Sequence, residues 1–157
     1  HIDVLNVIDK SISDVTSIAA AKRIVPRITT EGFTEQKPER IDALGEELLA
    51  YSVFSNLLKN AVEASPEEEE VVIHIRPAAA GTRHDHTRIE CSIHNTGTVP
   101  EGIRDSFFDK YATRGKKGGT GIGTYSAKLL AEAQGWSISM DTSEEFGTVV
   151  TLSLPKP

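Results

Sequence analysis

Asn56 and Asn60 stand four residues apart, with Ser52 four before them and Glu63 three after. On a helix these four side chains share one polar stripe. A carboxamide oxygen is a neutral, hard donor, suited to a Mg²⁺ ion that already takes charge from phosphate oxygens and keeps several of its waters. The same stripe also fits a helix face turned to water, and spacing alone does not choose between the two. A second candidate is Gly118-Gly119-Thr120-Gly121-Ile122-Gly123-Thr124, which opens into the helix-like stretch 125–134. Glycines ahead of a helix let backbone N–H groups approach a phosphate, where the helix dipole favours negative charge. No Gly-Lys-Ser/Thr follows, so this is not a P-loop, and the spacing is not the dinucleotide G-x-G-x-x-G. The third candidate is Asn95-Thr96-Gly97, followed by Val99-Pro100. A side-chain acceptor at a strand end can meet the exocyclic amine of a flat base; the same three residues also make an ordinary turn.

Charge points the same way as the glycines. The chain has 157 residues, 17 basic and 23 acidic, for a net charge of −6. That argues against general nucleic-acid binding. Between positions 104 and 128, six basic residues face two acidic ones, a local charge of +4. A basic, glycine-rich segment on an acidic body suits a small anionic ligand held in one place, although a solvated charged loop has the same composition. Cys91 is the single cysteine, which excludes an internal disulfide and suggests a reducing, cytoplasmic setting. No apolar run approaches the ~18 residues of a membrane span, so no direct membrane contact is expected of this piece. A start at His1 is what an excised part of a longer protein would show.

These groups need elements to hold them. Val4, Leu5, Ile8, Ile12, Val15, Ile18 and Ala19 recur at steps of three and four and predict an amphipathic helix over 3–22. Lys22-Arg23 and then Pro26 are expected to end it. The polar stretch 32–43 reads as a connection, with at most a short strand at 25–29, which places a domain boundary near residue 25. Residues 1–24 then form an N-terminal helix and 25–157 the main domain. Residues 46–64 lack Gly and Pro, and Leu48, Tyr51, Leu58 and Val62 recur at helical spacing, so a long helix is predicted up to Ser65-Pro66. Residues 71–76 and 87–95 alternate as an antiparallel pair; 101–108 suggests a short helix and 111–120 a loop. Residues 136–142 and 148–154 alternate again around a turn at Glu145-Phe146-Gly147. This order predicts an α+β fold with helices on one face of a mainly antiparallel sheet.

The order and spacing of the candidate motifs carry a family resemblance. Residues 44–155 resemble the catalytic ATP-binding domain of sensor histidine kinases, within the Bergerat-fold (GHKL) ATPases. Asn56-Leu-Leu-Lys-Asn60-Ala-Val-Glu-Ala64 resembles the N box, and Asn95-Thr-Gly97 with Val99-Pro100 the G1 box. Phe107-Phe-Asp-Lys-Tyr111 is similar to the F box and Gly119-Thr-Gly-Ile-Gly123 to the G2 box. Gly147-Thr148 with Leu154-Pro155 resembles the closing hairpin. The resemblance implies a two-layer α/β sandwich with a mixed, mainly antiparallel sheet, ATP between helices and sheet, and a lid from 104 to 120. It makes 25–157 the ATP-binding catalytic domain and the helix of 1–24 a candidate for the end of a dimerisation or phosphoacceptor region.

It also implies roles. Asn60 resembles the Mg²⁺ ligand, Asn56 the companion amide near the phosphates, and these two carry the catalytic assignment. Glu63 shares their stripe. Asn95 takes the place of the adenine-reading Asp, beside Gly97, with one residue fewer before Val99 than is usual. Lys110 and Arg114 resemble lid cations; Gly119, Thr120, Gly121, Ile122 and Gly123 resemble the phosphate-facing turn; Thr148 completes the nucleotide-binding set. Trp136 stands where a second glycine is more usual. The implied reaction transfers the γ-phosphoryl group of Mg-ATP to a histidine on a separate phosphoacceptor domain, with a response regulator downstream. Hydrolysing relatives carry Glu at the place of Asn56, and an amide has no useful basicity, so kinase is preferred to ATPase. An anti-sigma-type serine kinase and a non-catalytic nucleotide-sensing adaptor are the alternatives.

Overall fold

The apolar positions of three neighbouring strands point the same way. Val71, Ile73 and Ile75, then Ile89, Cys91 and Ile93, then Val150, Leu152 and Leu154 are all buried, while the residues between them are more exposed. This period of two defines one covered and one open sheet face. The computed structural model describes residues 1–79, 87–110 and 123–157. In chain order the elements are β1 (Ile2–Asp3), α1 (Val4–Ala21), β2 (Arg27–Thr30), β3 (Asp42–Ala43), α2 (Glu47–Ala64), β4 (Val71–Pro77), β5 (Arg88–Asn95), a 3₁₀ turn at Glu101–Ile103, α3 (Gly123–Ala133), β6 (Ser137–Ser143) and β7 (Gly147–Pro155).

The main sheet has the order β2-β4-β5-β7-β6. β2 runs parallel to β4, and the other neighbours are antiparallel. The register sets Asn95 opposite both Val71 and Thr148, at the end of the two central ladders. The expected mixed, mainly antiparallel sheet covered by helices is therefore observed. β1 and β3 form a separate antiparallel pair.

α1 lies along α2, and its buried residues belong to the same hydrophobic cluster as those of α2, α3 and the sheet. Its buried face includes Val7 and Ser11, which the apolar spacing did not mark, whereas Ile18 is exposed. Ser11 is small enough to sit at the helix crossing, and its hydroxyl donates back to Val7 O at 2.9 Å. On α2, Leu48 is 75% exposed although its spacing matches the apolar stripe; Ala50, Val53, Phe54, Leu57, Leu58, Ala61 and Val62 form the buried face.

The helix ends differ in cause from the sequence expectation. α1 stops at Ala21, five residues before Pro26, because Arg23 adopts φ 57° and the N–H groups of Arg23 and Ile24 donate to Ala20 O and Ala19 O. This double bond pattern around a left-handed residue is a Schellman stop. α3 ends the same way at Gly135 (φ 78°), and the next residue, Trp136, turns into the core. The Trp136 indole packs 6.0 Å from the Phe54 ring and donates to Leu44 O at 2.8 Å, so this large residue ties α3 and β6 to the entry of α2.

Candidate functional site

The Asn56 amide lies beside the first residue of α3. A Cβ added to Gly123 would stand 3.9 Å from Asn56 Oδ1, so the polar stripe of α2 meets the N-terminal end of α3. Ser52, Asn56, Asn60 and Glu63 are all half-buried, which places the stripe at the border of the core instead of on a fully solvated face. Glu63 lies 4.0 Å from the Lys59 ammonium on the same helix. Phe54, Leu57, Leu58, Ala61 and Val62 anchor the opposite face, and that packing fixes the rotation of the helix and the direction of the amides.

Asn95 ends β5 and is 2% exposed. Its Oδ1 accepts from the Gly97 N–H at 2.9 Å, closing an Asx turn. An amide oxygen has two lone pairs, so one acceptor direction remains after this bond. Gly97 is pressed against α2: a Cβ there would lie well inside contact with Ala64 O. Thr148, buried, donates to Gly97 O at 2.7 Å, and Thr142 Oγ1 lies 3.0 Å from Thr148 Oγ1 while accepting from the Val99 N–H at 3.1 Å. Each hydroxyl has one proton, so the direction is fixed: Thr142 donates to Thr148, and Thr148 to Gly97. Gly147 completes the clamp, since a Cβ on it would stand 2.7 Å from Thr96 Cα. The closing hairpin thus locks the turn that follows β5.

A second clamp joins the Phe107-Phe108 segment to α3. Thr124 Oγ1 donates to Phe107 O at 2.7 Å, the Lys110 ammonium lies 5.0 Å from the Tyr125 ring centroid, and Lys128 lies 5.7 Å from that of Phe108. These contacts hold the Phe107–Lys110 segment against the N-terminal half of α3. Arg114, Gly119, Thr120, Gly121 and Ile122 lie outside the described residues, as do most of the stretch expected to form a lid and the histidines at 84 and 86. Motif reading passed over Thr142 and Tyr125 and took Thr124 only as the end of the glycine-rich stretch; the structure shows Thr124 and Tyr125 holding the 107–110 segment and Thr142 the turn after β5.

Among the described residues no group of three or more His, Cys, Asp or Glu side chains is arranged to hold a metal. A divalent ion here would rely on amide oxygens supplemented by ligand phosphates, which is the donor set that Asn60 and its stripe present. Burial pushes the Cys91 thiol well up, so this cysteine is a core residue and no nucleophile. No helix among the described residues is long and apolar enough to cross a membrane.

Residues 45–157 match the family model described as histidine kinase-, DNA gyrase B-, and HSP90-like ATPase. The chain belongs to this family. Among curated relatives of this ATPase family, the sensor histidine kinase WalK of Bacillus subtilis is 34% identical over 110 residues, covering 66% of the chain and 17% of WalK. The chain spans about a fifth of the length of the curated relatives it matches. Among solved structures, the mycobacterial sensor histidine kinase MprB superposes with a TM-score of 0.76 at 21% identity, covering 99% of this chain and 95% of that one. Histidine kinase ThkA, solved in complex with response regulator protein TrrA, gives 0.71 at 19% identity, covering 99% and 41%. α1 lies outside the matched residues 45–157, while both superpositions cover 99% of this chain.

Proposed function

We propose that this chain binds Mg-ATP between α2, α3 and the end of β5, and donates the γ-phosphoryl group to a histidine on a separate phosphoacceptor domain of a sensor histidine kinase. The observation that carries this reading is the approach of the Asn56 amide to the N-terminal end of α3, beside the turn of Asn95 and Gly97. One end of this arrangement suits phosphates and the other a base. Asn60 would hold Mg²⁺ together with phosphate oxygens and water; the ion would supply neutralisation of the charge on the β- and γ-phosphates. Lys110 adds a cation at the phosphate edge, Asn95 an acceptor for the adenine amine, and Arg114 with the glycines at 119, 121 and 123 the remaining phosphate contacts.

Transfer of this kind depends on alignment and charge neutralisation more than on a base in this domain: the bond from phosphorus to the ADP oxygen breaks as the bond to the imidazole nitrogen forms. Asn56 cannot deprotonate water, which disfavours hydrolysis as a competing outcome. The named relatives are sensor histidine kinases, which favours this reading over a serine kinase or an adaptor. The ThkA neighbour was solved with a response regulator, and we assign a protein of that class as the downstream partner of the full-length kinase.

Calorimetry with Mg-ATP tests the binding step, and incubation with γ-labelled ATP tests the transfer. The chain alone should bind nucleotide and retain no label. Addition of a separately made phosphoacceptor domain should restore transfer, at a rate limited by encounter because the covalent link is gone. Label retained on this chain, or no binding at millimolar nucleotide, would refute the assignment.

A further inference from the structure

Lys22 closes α1, and its ammonium reaches the end of a different helix. Lys22 Nζ donates to Val62 O at 3.0 Å, Glu63 O at 2.8 Å and Ser65 O at 2.8 Å. All three protons of the ammonium are used, one for each carbonyl. Val62 and Glu63 lie in the last turn of α2, where carbonyls lack an intrahelical donor, and a cation at this end also complements the helix dipole. Ala64 O, in the same turn, is the oxygen against which Gly97 is pressed. The turn is thus gripped from both sides, by Lys22 and by the Asn95–Gly97 loop. The main chain adds to the grip, because Glu68 N donates to Lys22 O at 2.8 Å.

We propose that Lys22 is a positioning residue for nucleotide recognition: by fixing the last turn of α2 it seats Gly97 against Ala64 and so holds the Asn95 turn in its base-reading geometry. The inference rests on the reading that this chain binds ATP with Asn95 at the base. Lys22 itself touches neither base nor phosphate in that reading. Without the ammonium, three part-buried carbonyls lose their donors, and the last turn can regain partners only by fraying toward water. Fraying moves Ala64 O, and the Gly97 N–H then loses the backing that aligns it with Asn95 Oδ1.

The test compares wild type with Lys22→Met, which keeps the aliphatic stem and removes all three donors. In the nucleotide-free chain, amide exchange should accelerate at residues 62–65 and at Gly97, with the centres of β4 and β5 unchanged. In titrations with Mg-ATP and Mg-GTP, ATP should bind on the order of tenfold more weakly, within the range of remote couplings, while GTP binding changes little. A loss shared equally by ATP and GTP would reveal a merely structural role and overturn the inference, as would unchanged exchange at Gly97. Should Lys22→Met fail to fold, Lys22→Gln retains two N–H donors and must shift both measurements in the same direction; wild-type values in that variant overturn the inference. A wild-type chain that binds no nucleotide, or binds ATP and GTP alike, is recognised before any variant is compared and removes the underlying reading together with the role of Lys22.

Discussion

Gly97 lies directly against the carbonyl oxygen of Ala64, leaving no room for a side chain between the loop after β5 and the last turn of α2. Two motifs separated in sequence are therefore one mechanical unit: the helix that carries Asn56 and Asn60 ends on the loop that carries Asn95. Gly97→Ala should force these parts apart. Overpacking of this kind costs about 1–3 kcal/mol, and the expected result is a lower melting temperature together with weaker ATP binding, both read in one thermal-shift series with and without Mg-ATP.

Asn60→Ala removes a half-buried amide from the site face of α2 and opens no core cavity. Stability should change by less than about 1 kcal/mol, while the Mg²⁺ dependence of nucleotide binding should disappear. Titration of ATP at several Mg²⁺ concentrations measures this, and an undiminished Mg²⁺ effect would remove Asn60 from the metal site.

Asn95→Asp keeps an oxygen for the Gly97 N–H and supplies a charged acceptor for the adenine amine. A charge-assisted hydrogen bond is roughly twice as strong as a neutral one, so ATP should bind more tightly and the preference over GTP should rise. Parallel titrations with the two nucleotides check the outcome; an unmoved ratio would mean that the base is read elsewhere.

Asn56→Glu places a carboxylate next to the N-terminal end of α3, where water could be activated. Free phosphate release should rise above the slow intrinsic rate, by an amount bounded by the ~10²–10⁴-fold typical of general base catalysis. Steady-state phosphate release in the absence of any phosphoacceptor domain gives the answer. No increase would place Asn56 too far from the γ-phosphate for proton transfer.

Thr124→Val removes the donor to Phe107 O with little change in shape. The loss of this buried bond should cost about 1–3 kcal/mol and free the Phe107–Lys110 segment from α3. Denaturant unfolding reads the first effect, and amide exchange at Phe108 and Asp109 the second.

The sequence by itself determined the long helix, the two antiparallel pairs and the amide stripe. It did so because burial imposes periods of 3.6 and 2 that are visible in the order of residues. It also determined the family, through four short motifs in a fixed order, and residues 45–157 match that family's model. Tertiary structure alone decided which remote groups complete the site. Nothing in the neighbourhood of Lys22 announces that its ammonium will cap a helix forty residues away, since that depends on α1 and α2 packing side by side. Ser11 is buried for the same reason: a helix crossing selects for size, which an apolar pattern does not record. The parallel pairing of β2 with β4, and the insertion of β7 between β5 and β6, are choices among strands with similar alternation. The direction of the Thr142, Thr148 and Gly97 hydrogen bonds, and the engagement of Asn95 Oδ1 by its own turn, follow from distances between elements. Local periodicity tells each residue which face it occupies; only the packed chain decides which donor meets which acceptor there.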